Sequence, residues 1–467
     1  MPSFTPDQLV RWTGGYWTAE PGVTLSGFSI DSRQTKTGQV FVALKTEKRD
    51  GHAFLGAAHL LGAAAALVST PNRSLALPQL VVPNTLVAMQ EIALQHRRLF
   101  TGPVIGISGS AGKTSTKNLL ALLLEDAGAG VLATEGNLNN HLGVPLTLVQ
   151  IDPDLHKYAV IEAGISAPGE METLARMIEP DIALVTLIAP AHLADLGTID
   201  SVAHEKAFLT RAVRPAGVAM LPRQVAGFAA FRDLEVRKLV LEPADVILPA
   251  HSPRDRVYYT ASHRGDTTAI SLAYGEPPPL TFTVGRVTDG MAQNAALAIC
   301  AALWLGVSAK SIQDKLTDWH PASLRGEWRK VEGRLLYLDC YNANPASMAD
   351  ALGTFASVAP QDMPRLYLVG CMEELGLEAE RYHRELGQTI PLRAADRVLV
   401  IGTQAEAVRQ GAIGSGYGEA QVEVAQSTAR MAEAVADFRG AVFVKGSRRY
   451  QLEGAVTALT PVEVAHA

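Results

Sequence analysis

Cysteine is scarce in this chain of 467 residues: there are three, Cys300, Cys340 and Cys371, set far apart. They make no disulfide framework and no metal-binding spacing, which fits a reducing compartment. An excess of positive charge is also missing. Lys and Arg number 41 against 47 Asp and Glu, a net charge of −6, so no nucleic-acid footprint is present. No uncharged apolar run is long enough to span a bilayer. The apolar Leu60–Val68 segment is too short and reads as a buried helix end followed by a strand. The start, Met1 to Asp7, lacks a basic segment followed by an apolar one, so no secretory signal is expected. Internal repeats and low-complexity tracts are absent too. The expectation is a cytoplasmic protein with no nucleic-acid partner and no membrane span.

What the chain does have is apolar residues, 48% of the total, and length for about three domains. Strand-like runs alternate with helical ones, which argues α/β architecture. Residues 1–100 read as a small first unit, with a strand at Val40–Leu44 and a helix from Ala53 to Leu61. Residues 101–321 read as a central unit, with strands at Tyr158–Glu162 and Ile182–Thr186, a β-rich stretch over 210–285 and a helix over Ala292–Leu305. Residues 322–467 read as a doubly wound, Rossmann-like unit, entered through a hinge at Pro321-Ala322-Ser323. Its strands fall at Leu335–Asp339, Leu366–Val369, Val398–Ile401 and Ala441–Val444.

Gly106-Ile107-Ser108-Gly109-Ser110-Ala111-Gly112-Lys113-Thr114-Ser115 is the strongest signal. A strand-like run precedes it and a helical one follows, the context a phosphate-binding loop needs. Glycines let backbone N–H groups close on phosphate oxygens, and the helix N-terminus adds favourable charge. Gly109, Ser110, Gly112, Lys113, Thr114 and Ser115 are the ATP-binding candidates. Lys113 is placed to reach the β/γ-phosphates, and Thr114 to ligate magnesium. The commonest loop pattern wants glycine where this chain has Ile107.

Other candidates cluster at strand ends, where active sites of α/β sheets gather. Glu162 closes an apolar strand and suits a magnesium ligand or a solvated terminus equally. His192 follows another strand, through Ala189-Pro190-Ala191. Lys206, in the helical Ser201–Arg211, reads by itself as a surface lysine paired with Glu205. Asn137, Asn139 and Asn140 lie in a glycine-bracketed loop, suited to a turn or to reading a polar substrate. Asp339, with Tyr341, Asn342 and Asn344 close behind, follows the third unit's first strand. Lys445-Gly446-Ser447-Arg448 follows its last, placing cationic donors where an anion would bind.

These residues, in this order, resemble the Mur ligases of bacterial cell-wall synthesis. The glycine spacing at 106, 109 and 112 is similar to that family's phosphate loop. Thr134–Pro145 resembles its amide-rich loop, and Tyr341-Asn342-Ala343-Asn344-Pro345 its tyrosine-asparagine signature. Met372-Glu373-Glu374-Leu375-Gly376 with His383, and Lys445–Arg448, resemble third-domain signatures. Asp31-Ser32-Arg33, Phe41–Leu44 and Asp50-Gly51-His52 look like the UDP-sugar-binding domain.

The resemblance implies three domains and an ATP-dependent amide ligase working through an acyl phosphate. The signatures are most similar to members that add D-alanyl-D-alanine to UDP-N-acetylmuramoyl-tripeptide. Those two are the expected substrates, and the expected enzyme is a monomer. It implies two magnesium ions, one held by Thr114 and Glu162, the other by His192 and Lys206, with Lys206 carrying a carbamate. It implies ATP contacts from Asn294, Arg325 and Asp339. Substrate contacts are implied from Ser32 and Arg33 at the UDP group, from the amide-rich loop and the Tyr341–Asn344 signature, and from Ser447 and Arg448 near a carboxylate. There are departures. Gly290-Met291 stands where a His-Asn pair usually precedes the asparagine aligned with Asn294. Cys371 replaces a common aspartate, Cys340 a small residue, Leu187 a frequent asparagine and Phe208 a frequent acid.

Overall fold

The structure is a computed structural model that describes residues 2–125, 130–244, 248 and 253–459. Residues 460–467 of the expected third unit lie outside the described residues, as do 245–247 and 249–252 of the expected β-rich stretch. Three sheets follow one another along the chain. The first contains β1 (Tyr16–Trp17), β2 (Phe28–Ser29), β3 (Val40–Val42), β4 (Ala65–Val68) and β5 (Gln79–Val81), in the order β1-β5-β4-β3-β2. Only the β1–β5 pair is antiparallel. Leu60 and Leu61 correct the expectation of a buried helix end. They are 87% and 49% exposed, and only the strand half of that apolar segment enters the core.

The second sheet holds β6 (Val104–Ser108), β7 (Gly130–Ala133), β8 (His156–Glu162), β9 (Ile182–Val185), β10 (Val218–Pro222), β11 (Lys238–Pro243), β12 (Arg256–Arg264), β13 (Thr267–Ala273) and β14 (Leu280–Gly285). Their order is β14-β13-β12-β11-β10-β9-β6-β8-β7. From β7 to β12 the pairs are parallel; β13 and β14 run antiparallel at one edge. β6 and β9 are buried along their whole length. That burial on both faces explains their unbroken apolar composition.

The third sheet contains β15 (Glu327–Val331), β16 (Arg334–Asp339), β17 (Arg365–Gly370), β18 (Arg397–Ile401), β19 (Val422–Val424) and β20 (Ala441–Lys445), ordered β15-β16-β20-β17-β18-β19. It is parallel except for the β15–β16 pair.

Five helices position the site: α1 (Thr85–Leu99), α2 (Lys113–Leu124), α3 (Ile199–Arg211), α4 (Asp289–Trp304) and α5 (Pro345–Val358). Alanines of α4 pack into one cluster with Leu119, Leu120 and Leu123 of α2, their small side chains allowing close approach. Arg97 of α1 is wholly buried and fastens the first unit to the second. Its guanidinium donates to the Ile178 carbonyl at 2.8 Å, the Glu179 carbonyl at 2.8 Å and Asp181 Oδ2 at 3.0 Å.

Candidate active site

β6 pairs with β8 on one side and β9 on the other, so its C-terminal end opens on the crevice where the strand order reverses. The phosphate loop leaves it there. Gly109 has φ +146°, and a Cβ on it would lie 2.0 Å from Thr186 Oγ1. Gly112, the N-cap of α2, has φ +78°, and its Cβ would lie 2.1 Å from Asn294 Nδ2. Both positions therefore require glycine. The second also sets Asn294, on α4, directly against the loop. Ser110 ties the loop to the segment after β9: its Oγ donates to the Ala189 carbonyl at 2.9 Å and its N–H to the Leu187 carbonyl at 2.8 Å. Ser115 is buried on α2. Lys113 Nζ donates to the Gly109 carbonyl at 2.9 Å, spanning the loop. Burial pushes the Lys113 pKa down; Glu162 works against that and Arg325 adds to it.

Glu162 lies beneath the loop, 1% exposed. Its Oε1 accepts from Thr114 Oγ1 at 3.2 Å and Asn139 Nδ2 at 2.8 Å, while Oε2 is buried without a hydrogen-bond partner. An orphaned carboxylate oxygen beside a threonine hydroxyl suits a cation brought in with phosphate. Sequence reasoning missed what holds this pair. Glu162 N–H donates to Thr134 Oγ1 at 2.9 Å, and the buried Lys117 donates from Nζ to the Thr134 carbonyl at 2.5 Å. The available signal was spacing: Lys117 stands four residues after Lys113, on the same helix face. Of the other amides, Asn140 Oδ1 accepts the N–H groups of Leu142 and Gly143 at 3.0 and 2.9 Å, closing the turn, and Asn137 is exposed.

His192 adopts φ +53° at the head of the short helix Leu193–Leu196. Its Nδ1 lies against Glu374 Oε2 of the third unit. Lys206 overturns the surface-lysine reading. It is 2% exposed, and Glu205 accepts instead the Gly169 N–H at 3.0 Å. The side chain sits on the inward face of α3, a placement that one-sequence helix patterning does not reveal. Burial pushes the Lys206 pKa well below its usual value, and repulsion from Lys113 adds to the effect. Among the described residues, no three or more His, Cys, Asp or Glu side chains gather as a metal cage. Magnesium in phosphate sites rarely has one; one or two carboxylates and the phosphates suffice. Thr114 and Glu162 fit that oxygen donor set; His192 would add an imidazole nitrogen, and Lys206 would offer an oxygen only as a carbamate.

From the third unit, the Arg325 guanidinium stacks 3.9 Å over the Tyr341 ring. Asp339 Oδ2 meets Lys445 Nζ at 2.5 Å, and Lys445 is 1% exposed. Lys445 is thus committed to Asp339 and is not the free cationic donor its strand-end position suggests. Arg448 faces Glu453, a buried carboxylate, and Ser447 is buried beside it. Asn342 Oδ1 accepts the Ala343 N–H at 2.9 Å. Asn344 caps α5, accepting the Ser347 N–H at 2.9 Å, and donates from Nδ2 to the Ser110 carbonyl at 3.1 Å. The Gly290 departure has a geometric counterpart. Asp350 of α5 accepts the Gly290 N–H at 3.1 and 3.2 Å, and a Cβ on Gly290 would come within 2.5 Å of Asp350 Oδ2.

In the first unit Ser32 is buried, and Arg33 forks onto Asp31 at 2.9 and 2.7 Å. Those bonds pull the Asp31 pKa down to about 2. A cavity of about 490 Å³ opens between Lys45, Asp50, His52, Ser69, Thr70 and Arg73. Neither Ser32 nor Arg33 lines it.

A phosphate loop in a parallel sheet, faced by a carboxylate, an imidazole and a buried lysine and closed over by a Rossmann-like unit, defines a three-domain nucleotide-dependent protein. The chain belongs to the Mur ligase family: the Mur ligase middle domain matches residues 107–302 and the Mur ligase, glutamate ligase domain matches residues 324–448. It is 32% identical over 441 residues to the UDP-N-acetylmuramoyl-tripeptide--D-alanyl-D-alanine ligase of Escherichia coli (strain K12), covering 94% of each chain. The protein of the same name from Haemophilus influenzae (strain ATCC 51907 / DSM 11121 / KW20 / Rd) is 29% identical, covering 97% of each. A crystal structure of MurF from Acinetobacter baumannii superposes with a TM-score of 0.85 at 27% identity, covering 98% of this chain and 99% of that one.

Proposed function

We propose that this chain is an ATP-dependent amide ligase joining D-alanyl-D-alanine to UDP-N-acetylmuramoyl-tripeptide, a step in peptidoglycan precursor synthesis. The observation that carries the chemistry is the orphaned Glu162 Oε2 beneath Thr114 and Lys113, at the mouth of the phosphate loop. The substrate pair rests on the names of the full-length relatives.

A free carboxylate is a poor electrophile. The γ-phosphoryl of ATP therefore moves to the terminal carboxylate of the tripeptide, releasing ADP and leaving an acyl phosphate. The dipeptide amine attacks the acyl carbon, and the tetrahedral intermediate expels phosphate as the amide forms. Positioning and charge stabilisation supply most of the rate in phosphoryl transfer. Lys113 offers a cation where negative charge is handed over. Gly109, Ser110, Gly112, Thr114 and Ser115 hold the phosphates, with Asn294, Arg325 and Asp339 around the nucleoside. Magnesium, when bound, adds charge neutralisation at the phosphates. Thr114 and Glu162 would hold one ion; His192 and Lys206, as its carbamate, a second. A desolvated lysine favours the neutral amine from which a carbamate forms.

In this reading residues 1–100 hold the UDP-sugar, with Ser32 and Arg33 near it; 101–321 bind ATP; and 322–467 close the cleft. Asn137, Asn139, Asn140, Tyr341, Asn342 and Asn344 read the peptide, and Ser447 and Arg448 lie near the dipeptide carboxylate. Closure excludes water, which would otherwise hydrolyse the acyl phosphate. The enzyme acts as a monomer in the cytoplasm; among the described residues no helix is long and apolar enough to cross a membrane.

The test is ADP release from a panel of UDP-muramoyl peptides and amine acceptors. Fastest release is expected with the tripeptide and D-alanyl-D-alanine together. Faster release with single L-amino acids would assign another ligase of the family. No stimulation by any acceptor would overturn the ligase reading.

A further inference from the structure

The third unit reaches the candidate metal histidine through one turn, and that turn is built to do so. Glu374 has φ +62°, an unusual conformation for a residue with a side chain. Its carbonyl accepts the Ala194 N–H at 3.1 Å, while its carboxylate meets His192 Nδ1. Two residues on, Gly376 has φ +59°, and a Cβ there would lie 3.1 Å from Ala194 Cα and 3.2 Å from the Leu193 carbonyl oxygen. The backbones on the two sides thus approach closely, and the contact is made by both main chain and side chain. On the facing side His192 is left-handed as well. His192 Nδ1 is buried, and the Glu374 carboxylate set against it lies out of line for a hydrogen bond.

An imidazole that ligates through one nitrogen generally gives its other N–H to a carboxylate, which fixes tautomer and ring direction. We propose that Glu374 is a positioning residue for His192. It takes the Nδ1 side of the ring and leaves Nε2 for the second cation, so that this cation site is completed only when the third unit is docked. This deepens the ligase reading and rests on it. Sequence alone puts Glu374 in a signature without a role. The 181 residues between the two carry no local cue that they meet.

The experiment titrates Mn²⁺ as a paramagnetic stand-in into the full chain with a non-hydrolysable ATP analogue. Electron paramagnetic resonance counts bound ions without turnover. Glu374→Ala is expected to weaken the second ion by about 10–100-fold, the usual effect of removing such a partner, and to leave the first ion unchanged. Glu374→Gln keeps an oxygen acceptor for Nδ1–H and should retain most of that affinity. If the glutamine variant loses as much as the alanine one, Glu374 is itself a ligand and the positioning role is wrong. Unchanged binding in Glu374→Ala also overturns it, provided His192→Ala does weaken the second ion. If His192→Ala changes nothing either, the assignment of His192 within the ligase reading is what has failed. Circular dichroism on each variant separates these outcomes from misfolding.

Discussion

Asn344 and Ser110 join the third unit to the phosphate loop: the amide of the α5 cap donates to the Ser110 carbonyl at 3.1 Å. The same side chain accepts the Ser347 N–H, so one residue both starts a helix and docks that helix on the nucleotide site. The two roles are separable by mutation. Asn344→Asp keeps the cap acceptor and loses the donor, so stability should hold while the KM for ATP rises. Asn344→Ala loses both and should also cost about 1 kcal/mol in urea unfolding. Equal KM values for the aspartate variant and the parent protein would show that the contact does not serve nucleotide binding.

Lys113→Ala should fold normally and lower ADP release by on the order of 10²–10³, the usual cost of removing a donor aimed at developing charge. Among the described residues its amine donates a hydrogen bond to the Gly109 carbonyl in the same loop, so no tie between distant segments is cut. Near-normal turnover in a folded variant would sink the phosphate-loop assignment.

Lys206 is expected to take up carbon dioxide as a carbamate. Burial lowers its pKa well below the usual value, so neutral amine is present at lower pH than for a surface lysine. Protein equilibrated with ¹³C-bicarbonate should show a carbamate carbon by NMR, and Lys206→Ala should not. The sign of the stability effect follows from the same shift. The unfolded chain binds this proton more tightly, so the cost of burying Lys206 shrinks as pH rises toward 10.5. A spectrum without that carbon at neutral pH would remove the proposed second metal ligand.

Asp350 predicts a pH dependence of opposite sign. Burial raises its pKa above the usual 3.8, Thr288 and the Gly290 N–H oppose that, and Asp289 and Asp339 add to it. The folded state therefore holds the proton more tightly than the unfolded chain. The resulting stabilisation is complete below pH 3.8 and is lost as pH rises through the folded value. The melting temperature of the parent protein relative to Asp350→Asn should fall across that window. A flat difference from pH 3.5 to 7, judged over roughly one reference pKa and the neutral range, would show that Asp350 is not perturbed in this way.

Much of this molecule is determined locally. Gly109 and Gly112 need backbone angles that residues with side chains avoid, so their spacing between a strand and a helix announces the phosphate loop from sequence alone. The buried strands β6, β9, β17 and β20 are legible because burial on both faces demands unbroken apolar runs. β15, Glu-Trp-Arg-Lys-Val, escaped notice because an edge strand carries mixed, charged composition. The site's state of charge is not local at all. Whether Lys206 is a solvated ammonium or a desolvated amine depends on what packs over α3. Whether Lys445 is free or bound depends on β16 lying beside β20. Glu374 meets His192, and Asp350 reaches Gly290, only because the third unit docks on the second. Sequence determines which groups are available at strand ends; burial and the meeting of distant segments decide their partners and protonation, because desolvation and Coulomb energies depend on distance in space and not along the chain.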